Sequence, residues 1–221
     1  MFRVAVKAVI FDLDGTLQSL EIDFDALRRA LESFFTDLGV ILAKGALLEA
    51  VESAIGELAK KGLSPGKFTT IQNQASDIMD KSELVSFPKV RTLPGVKAML
   101  HSVSNKGYGM SVLSRACRSY VDISLKRIGI PFDAVFSRGD VKRPKPDPEG
   151  VLRLLKIMKC GPEECCIVGD HPFDIIAGKR AGTFAAGVLT GSGTRKRLKD
   201  AGADVVLKRA DLELVNWLEK H

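Results

Sequence analysis

The stretch Phe11-Asp12-Leu13-Asp14-Gly15-Thr16-Leu17 closes an apolar run, VAVKAVIFDL, that covers residues 4–13. The run is rich in β-branched residues and has no regular polar alternation, which predicts a strand buried on both faces of a parallel sheet. Asp-Gly-Thr is typical of a turn, so the strand is expected to end at Asp12 and Asp14. A strand of this kind needs helices on both faces of its sheet, and it therefore indicates an α/β fold.

Strand and helix patterns alternate from residue 94 to the end of the chain. Apolar runs predict strands at residues 108–113, 132–136, 165–168, 183–188 and 204–207. Helical spacing predicts helices at residues 94–106, 119–128, 148–158, 172–181, 195–201 and 212–220. Repeated β-α units predict a doubly wound parallel sheet with helices on both faces.

Between these two parts lies a block without strand patterns. Apolar residues at helical spacing predict helices at about residues 24–38, 44–61 and 67–84, with Ser64-Pro65-Gly66 as a separating turn. Because the first strand belongs with the later ones, residues 19–87 are expected to be an all-helical insertion into a core made of residues 1–18 and 88–221. Basic residues available in the insertion are Arg28, Arg29, Lys60, Lys61 and Lys67.

Polar residues follow the predicted strands where ligands gather in open α/β sheets, beyond the carboxyl ends. Besides Asp12 and Asp14, they are Ser114 and Arg115 after the second strand, Lys145 in the loop before a helix, Asp170 after the strand 165–168, and Asp174 one helical turn later. Several carboxylates, a hydroxyl and a lysine are therefore expected at one edge of the sheet.

Such a group of side chains suits phosphoryl transfer. Clustered carboxylates repel unless a hard cation such as Mg²⁺ joins them, and Mg²⁺ prefers carboxylates together with phosphate oxygens. One carboxylate could attack as nucleophile, and a second, two residues on, could act as general acid and base. Lysine and serine would hold the phosphoryl oxygens. Each residue alone also has a structural interpretation: a turn for the aspartates, a helix N-cap for Ser114, an exposed loop position for Lys145, and a turn or cap for Asp170.

The balance of charge and the cysteines bear on partners and location. The formal net charge is +6, and the basic clusters are Lys142-Arg143 with Lys145, and Arg195-Lys196-Arg197 with Lys199. No nucleic-acid motif accompanies them, so solvated faces or a funnel for an anionic substrate are favoured and no nucleic-acid partner is expected. Cys117, Cys160, Cys165 and Cys166 lack metal or C-x-x-C spacing and predict free thiols in a reducing cytoplasm. Neither a signal peptide nor an apolar stretch of about 20 residues is visible, so no membrane partner is expected.

The ordered motifs resemble those of the haloacid dehalogenase superfamily of phosphohydrolases, in the subgroup with a helical cap inserted after the first motif. The motifs are Phe11-Asp12-Leu13-Asp14-Gly15-Thr16-Leu17, Ser114, Lys145-Pro146-Asp147-Pro148, and Gly169-Asp170 with Asp174. Leu93-Pro94-Gly95-Val96 is similar to the return into the core after the cap. The resemblance covers nearly the whole chain and implies a Rossmann-like core.

The resemblance implies a role for each matched residue. Asp12 is the implied nucleophile and Asp14 the implied general acid and base. Mg²⁺ would be held by the Asp12 side chain, the Asp14 main-chain carbonyl and the Asp170 side chain, with Asp174 as a more distant or water-mediated partner. The substrate-binding residues expected are Thr16, Ser114, Arg115 and Lys145.

Three positions depart from the family's usual pattern. Arg115 stands where an asparagine usually follows the serine, and it is either a contact for a substrate anion or an exposed side chain. Gln18-Ser19-Leu20 replaces a common Val-Asp-Ser, which puts contacts near the cap connection in doubt. His171 follows Asp170 in place of a small hydroxyl residue, and a plain loop role is favoured over catalysis.

The expected activity is Mg²⁺-dependent hydrolysis of a small phosphorylated metabolite, with phosphoglycolate as one candidate. The halide-removing members lack the second aspartate of the first motif, so Asp14 argues against that chemistry. A phosphomutase uses the same aspartyl phosphate and stays an alternative, as does a binding or regulatory relative without catalysis. The protein is expected to be a monomer or a homodimer.

Overall fold

The computed structural model describes residues 5–221. Val4, which opens the predicted first strand, lies outside the described residues. The chain divides into two compact units, an α/β unit of Met1–Leu20 with Lys89–His221 and a helical unit of Glu21–Pro88. Among the described residues, no helix is both long and apolar enough to cross a membrane.

The α/β unit is built on one six-stranded parallel sheet. Its strands are β1 (Ala8–Phe11), β2 (Gly109–Leu113), β3 (Ala134–Phe136), β4 (Cys165–Gly169), β5 (Phe184–Val188) and β6 (Val205–Leu207). They lie in the order β3-β2-β1-β4-β5-β6, and every neighbouring pair is parallel. The predicted doubly wound α/β fold is therefore confirmed. In this order the direction of winding reverses between β1 and β4, which is where such sheets form their ligand crevice.

Helices flank the sheet and also form the helical unit. They are α1 (Phe24–Asp37), α2 (Leu47–Lys60), α3 (Pro65–Ser86), α4 (Val96–Asn105), α5 (Arg118–Ile128), α6 (Glu149–Met158), α7 (Pro172–Ala181), α8 (Arg195–Asp200) and α9 (Leu212–Leu218). Both faces of the central strand are covered, since Val9 and Ile10 point to opposite faces and neither is exposed. Ile10 packs with Leu154 of α6 and Ile175 of α7 in one apolar cluster.

The helical unit has its own apolar core, formed by α1, α2 and α3. Leu31, Phe35 and Ala75 belong to this core and are fully buried. The predicted turn before α3 is wrong, because Pro65 is the first residue of the helix and Ser64 is its N-cap. Proline is favoured in the first helical turn, where a backbone N–H would have no partner in any case.

Candidate active site

The loop after β1 is fixed by main-chain hydrogen bonds at the crevice. The N–H of Asp12 donates to the carbonyl of Val168 in β4 at 2.8 Å, and the N–H of Leu17 donates to the carbonyl of Leu13 at 2.8 Å. Gly15 turns the chain with a φ of 80°, a conformation that residues with a side chain rarely adopt. The strand thus ends at Phe11, earlier than predicted, because the chain enters this turn directly after Asp12.

Lys145 is the central cation of the site. Its Nζ lies 2.7 Å from Asp12 Oδ1 and 2.5 Å from Asp174 Oδ1, and it donates to the carbonyl of Leu113 at 2.7 Å. The residue is only 3% exposed, so its interpretation as an exposed loop lysine is wrong. Burial would lower the pKa of Lys145, but Asp12 and Asp174 outweigh burial and raise this pKa to about 12. The ammonium group is therefore charged at neutral pH.

Three buried carboxylates surround this lysine or lie next to it. Each of Asp12, Asp170 and Asp174 offers an oxygen within 4.8 Å of the others. Burial raises the pKa of Asp12 well above its ordinary value, and the charge of Lys145 opposes this rise. Burial, and next the carboxylate of Asp174, raises the pKa of Asp170 to about 6. The cluster has more negative groups than Lys145 can neutralise.

A glycine-rich loop after β5 encloses Asp170. The main-chain N–H of Ser192 donates to Asp170 Oδ2 at 2.7 Å, and the Ser192 hydroxyl lies 3.2 Å from the same oxygen. A Cβ atom added at Gly191 would lie 2.0 Å from Asp170 Oδ2, and one added at Gly15 would lie 2.7 Å from Asp170 Cγ. Glycine is needed at both positions because the backbone approaches the carboxylate closely.

The loop between β5 and α8 carries none of the residues that the sequence predicted for the site. Gly193 also touches Asp170, since an added Cβ would lie 2.0 Å from the Asp170 carbonyl oxygen. The contribution of Ser192 was missed altogether. The available signal was the density of small residues after a strand that neighbours β4, at the same edge of the sheet.

Asp14 is held by side chains that the sequence did not indicate. Its Oδ1 accepts hydrogen bonds from the Tyr120 hydroxyl at 2.8 Å and from Gln18 Nε2 at 2.9 Å. Gln18 Nε2 also lies 3.0 Å from Ser124 Oγ. The only signal in the sequence was Gln18 itself, a polar residue at a position that departs from the common pattern.

The expected substrate-binding residues have varied surroundings. Ser114 is buried and its Oγ accepts a hydrogen bond from the N–H of Ala116 at 3.1 Å. It is not the N-cap of α5, because Cys117 takes that position. Thr16 is fully buried, and among the described residues its hydroxyl has no hydrogen-bond partner. The guanidinium of Arg115, which is half-buried, lies 5.1 Å from the ring centre of Phe173.

His171 has a structural role at the start of α7. Its Nδ1 accepts a hydrogen bond from the N–H of Phe173 at 3.2 Å, and its own N–H donates to Asp174 Oδ2 at 3.0 Å. Burial lowers the pKa of His171. The N-cap of this helix is therefore His171 and not Asp170, and the capping contact orients Asp174 toward Lys145.

Apart from Lys145, the basic clusters form ordinary ion pairs, and the cysteines are free thiols. Arg143 forms an ion pair with Asp147 at 3.2 Å, and Lys196 forms one with Asp200 at 2.6 Å. The free cysteines are Cys117, Cys160, Cys165 and Cys166, and of these only Cys160 is partly exposed. These contacts fit solvated surface charges and buried thiols.

A family model described as haloacid dehalogenase-like hydrolase matches residues 9–188. The chain belongs to this family of hydrolases. It is 30% identical over 217 residues to a validoxylamine A 7′-phosphate phosphatase from Streptomyces hygroscopicus subsp. limoneus, covering 96% of both chains. It is 33% identical over 195 residues to the pyrophosphatase PpaX of Bacillus velezensis, covering 83% of both.

A solved structure shows the same fold. It is described as a predicted phosphoglycolate phosphatase from Haemophilus somnus, with a TM-score of 0.66, 22% identity, and coverage of 96% of this chain and 98% of that one. The predicted family and the predicted class of enzyme, a hydrolase of the phosphatase type, are confirmed by these relatives.

Proposed function

We propose that this enzyme is a Mg²⁺-dependent phosphatase that hydrolyses a small phosphorylated metabolite through an aspartyl phosphate on Asp12. The observation that carries the proposal is the buried ammonium of Lys145, which touches Asp12 and Asp174 beside Asp170. A site of this kind offers a nucleophile and a fixed positive charge for a phosphoryl group. The relatives named as a phosphatase and a pyrophosphatase support the same class of substrate.

The residues present fit a magnesium ion. The cluster offers only carboxylate oxygens, which are the ligands that Mg²⁺ prefers, and its negative charge exceeds that of the one lysine. Burial, followed by the charge of Asp174, raises the pKa of Asp170 to about 6, and a divalent cation beside it would favour the ionised carboxylate. Asp12 and Asp170 would hold the ion by their side chains and Asp14 by its main-chain carbonyl. When bound, Mg²⁺ would withdraw charge from the phosphoryl oxygens.

The chain's own residues carry the chemical steps. A carboxylate oxygen of Asp12 attacks phosphorus, and the bond from phosphorus to the leaving oxygen breaks as that oxygen takes a proton from Asp14. Water then attacks phosphorus and gives its proton back to Asp14, and the bond to Asp12 breaks. Lys145 holds Asp12 in place throughout and offsets charge on the phosphoryl group, with the Ser114 hydroxyl as a further donor. Thr16 and Arg115 are further proposed substrate-binding residues. Asp174 is the proposed more distant or water-mediated partner of the ion.

A panel of phosphorylated compounds tests the proposal. It contains phosphoglycolate, pyrophosphate, sugar and cyclitol phosphates and an aryl phosphate, each with Mg²⁺, and the readout is released inorganic phosphate. We expect release from the aryl phosphate and faster release from one or more metabolites. Isomerisation of a sugar phosphate without phosphate release would instead indicate a phosphomutase. No turnover of any compound would indicate a non-catalytic binding protein.

Asp170→Asn tests the metal site. The change keeps the size of a side chain against which Gly15 and Gly191 pack, but it removes one of the charges that would attract the ion. We expect the Mg²⁺ concentration for half-maximal activity to rise by about 10–100-fold, and the shift in Tm that Mg²⁺ produces in the wild type to shrink. Asp200→Asn, at an exposed position, is the control. Full wild-type activity in excess chelator after dialysis would contradict the metal requirement.

The helical unit acts as a cap that selects the substrate and does not supply the chemistry. The site residues belong to the α/β unit, and two of the insertion's basic residues serve its own loops: Arg28 donates to the carbonyl of Gly45 at 2.6 Å and Lys61 to that of Gly39 at 2.8 Å. The remaining basic residues of the set are Arg29, Lys60 and Lys67, and all three are exposed.

Replacing these three exposed residues by alanine tests this division of labour. We expect the ratios of kcat/KM between substrates of the panel to change several-fold, because charges that attract anionic substrates are removed. The Mg²⁺ titration should stay that of the wild type. Weaker Mg²⁺ binding with an unchanged order of substrates would show that this division of labour is wrong.

We also propose a cytoplasmic location, because the free cysteines fit a reducing compartment, and a monomeric or homodimeric enzyme. Light scattering of the purified protein distinguishes monomer from dimer, and either result agrees with a site whose residues all come from one chain.

A further inference from the structure

We propose that Gln18, Tyr120 and Ser124 are positioning residues for Asp14. They form a hydrogen-bonded group that holds the Asp14 carboxyl in one orientation while it gives and takes a proton. The inference rests on the proposed function, in which Asp14 is the general acid and base. None of the three residues belongs to one of the ordered motifs.

The geometry of the group is closed and buried. Gln18 is 1% exposed, and Tyr120 and Ser124 are not exposed at all. The Tyr120 hydroxyl and Gln18 Nε2 both donate to the same oxygen, Asp14 Oδ1, at 2.8 and 2.9 Å. Gln18 Nε2 in turn lies 3.0 Å from Ser124 Oγ and 3.3 Å from the Tyr120 hydroxyl. Since buried polar groups are costly without partners, this arrangement favours one orientation of each side chain.

The backbone of Gln18 is anchored as firmly as its side chain. Its carbonyl accepts a hydrogen bond from the N–H of Gly15 at 2.7 Å. The backbone of Gln18 also forms isolated β-bridges with Asp14 and with Thr92. The amide therefore projects from a fixed point in the same turn that carries Asp14. Tyr120 and Ser124 are one helical turn apart on α5, so one face of that helix supplies both hydroxyls.

The neutrality of these donors explains why they suit an acid and base. The amide of Gln18 and the phenol of Tyr120 orient the carboxyl by hydrogen bonds and bring no formal charge of their own next to it. Both bonds fall on Oδ1, so they fix the plane of the carboxyl from one side. In the second step the carboxyl receives a proton from the attacking water, so it ends each turnover protonated.

The test compares substrates that differ in their need for an acid. Phenyl phosphate has a poor leaving group that requires protonation, whereas p-nitrophenyl phosphate has a good one that does not. The value of kcat/KM reports all steps up to departure of the leaving group. Removing the hydroxyl or the amide donor should therefore affect the two substrates unequally, while general damage to the fold would lower both alike.

Tyr120→Phe and Gln18→Met are the variants, and Tyr108→Phe, at the chain's other tyrosine, is the matched control. We expect kcat/KM to fall about 10-fold or more for phenyl phosphate but no more than about 3-fold for p-nitrophenyl phosphate, with the control unchanged. Asp14→Asn should lower kcat/KM for phenyl phosphate more than for p-nitrophenyl phosphate, and by a larger factor than the two variants do. Circular dichroism and Tm identify any variant that fails to fold, and Ser124→Ala then provides a milder change to the same group.

The outcomes separate this inference from the proposed function. If the wild type is active and Asp14→Asn discriminates between the substrates, equal losses on both substrates in folded Tyr120→Phe and Gln18→Met overturn the positioning role alone. If the wild type releases phosphate from neither substrate nor from the metabolite panel, the proposed function fails and the inference fails with it.

Discussion

Asp12→Asn is expected to lower kcat by at least about 10⁴-fold while the protein stays folded, which is the largest effect on activity that we predict. An amide oxygen is a poor nucleophile, so the aspartyl phosphate would no longer form. The fold should persist because Lys145 keeps its ion pair with Asp174 at 2.5 Å and its bond to the Leu113 carbonyl. Phosphate release and circular dichroism on the same preparation provide the measurement.

Two controls make the Asp12 result decisive. Mass spectrometry must exclude deamidation back to aspartate, and Asp200→Asn, at an exposed site, should retain wild-type activity. Acid quenching with radiolabelled substrate should leave label on the wild-type protein and none on Asp12→Asn. Appreciable turnover by folded and chemically intact Asp12→Asn would remove Asp12 from its proposed role.

Lys145→Met is expected to produce the largest loss of stability among single changes in the site. It leaves Asp12 and Asp174 buried without the ammonium group that touches both. Breaking a buried ion pair by removing one partner costs roughly 3–5 kcal/mol in the free energy of unfolding. The rate should also fall by on the order of 10²–10³-fold, because a fixed positive charge beside the phosphoryl group is lost.

Urea denaturation measures the loss of stability, with Lys142→Met as a matched control in the same loop. Lys142 is exposed, so its replacement should change the free energy of unfolding by no more than about 0.5 kcal/mol. If Lys145→Met were as stable as that control, the buried lysine would not neutralise the carboxylates as described. The measurements are made without added Mg²⁺, so that metal binding does not compensate for the lost charge.

Most of the fold could be predicted because its signals are local. The strand runs and helical spacings lie within segments of a few residues, and their repetition requires a parallel sheet. The errors occurred at the ends of elements. The first strand was predicted to end at Asp12 and Asp14, but β1 ends at Phe11, before the turn through Gly15. Similarly, α3 begins at Pro65 because Ser64 caps it, although both residues had been interpreted as part of a turn.

The candidate site could be predicted only in part. Asp12, Lys145 and Asp170 belong to the ordered motifs, and the structure brings these three residues together at one edge of the sheet. Ser192 was missed because the small residues of its segment indicate a tight loop at this edge of the sheet but not that the N–H of Ser192 reaches Asp170. Gln18 was noted only as a departure from the common pattern.

The sequence by itself determined the fold class, the order of the motifs and the edge of the sheet where they meet, because periodicity and strand-end position are properties of short segments. Only the tertiary structure decided which atoms touch. Lys145 reaches Asp12 across 133 residues of chain, and Tyr120 reaches Asp14 across 106. Such contacts depend on the direction of each side chain to within about an ångström. That direction is set by how the helices and loops pack in three dimensions, which no local pattern encodes.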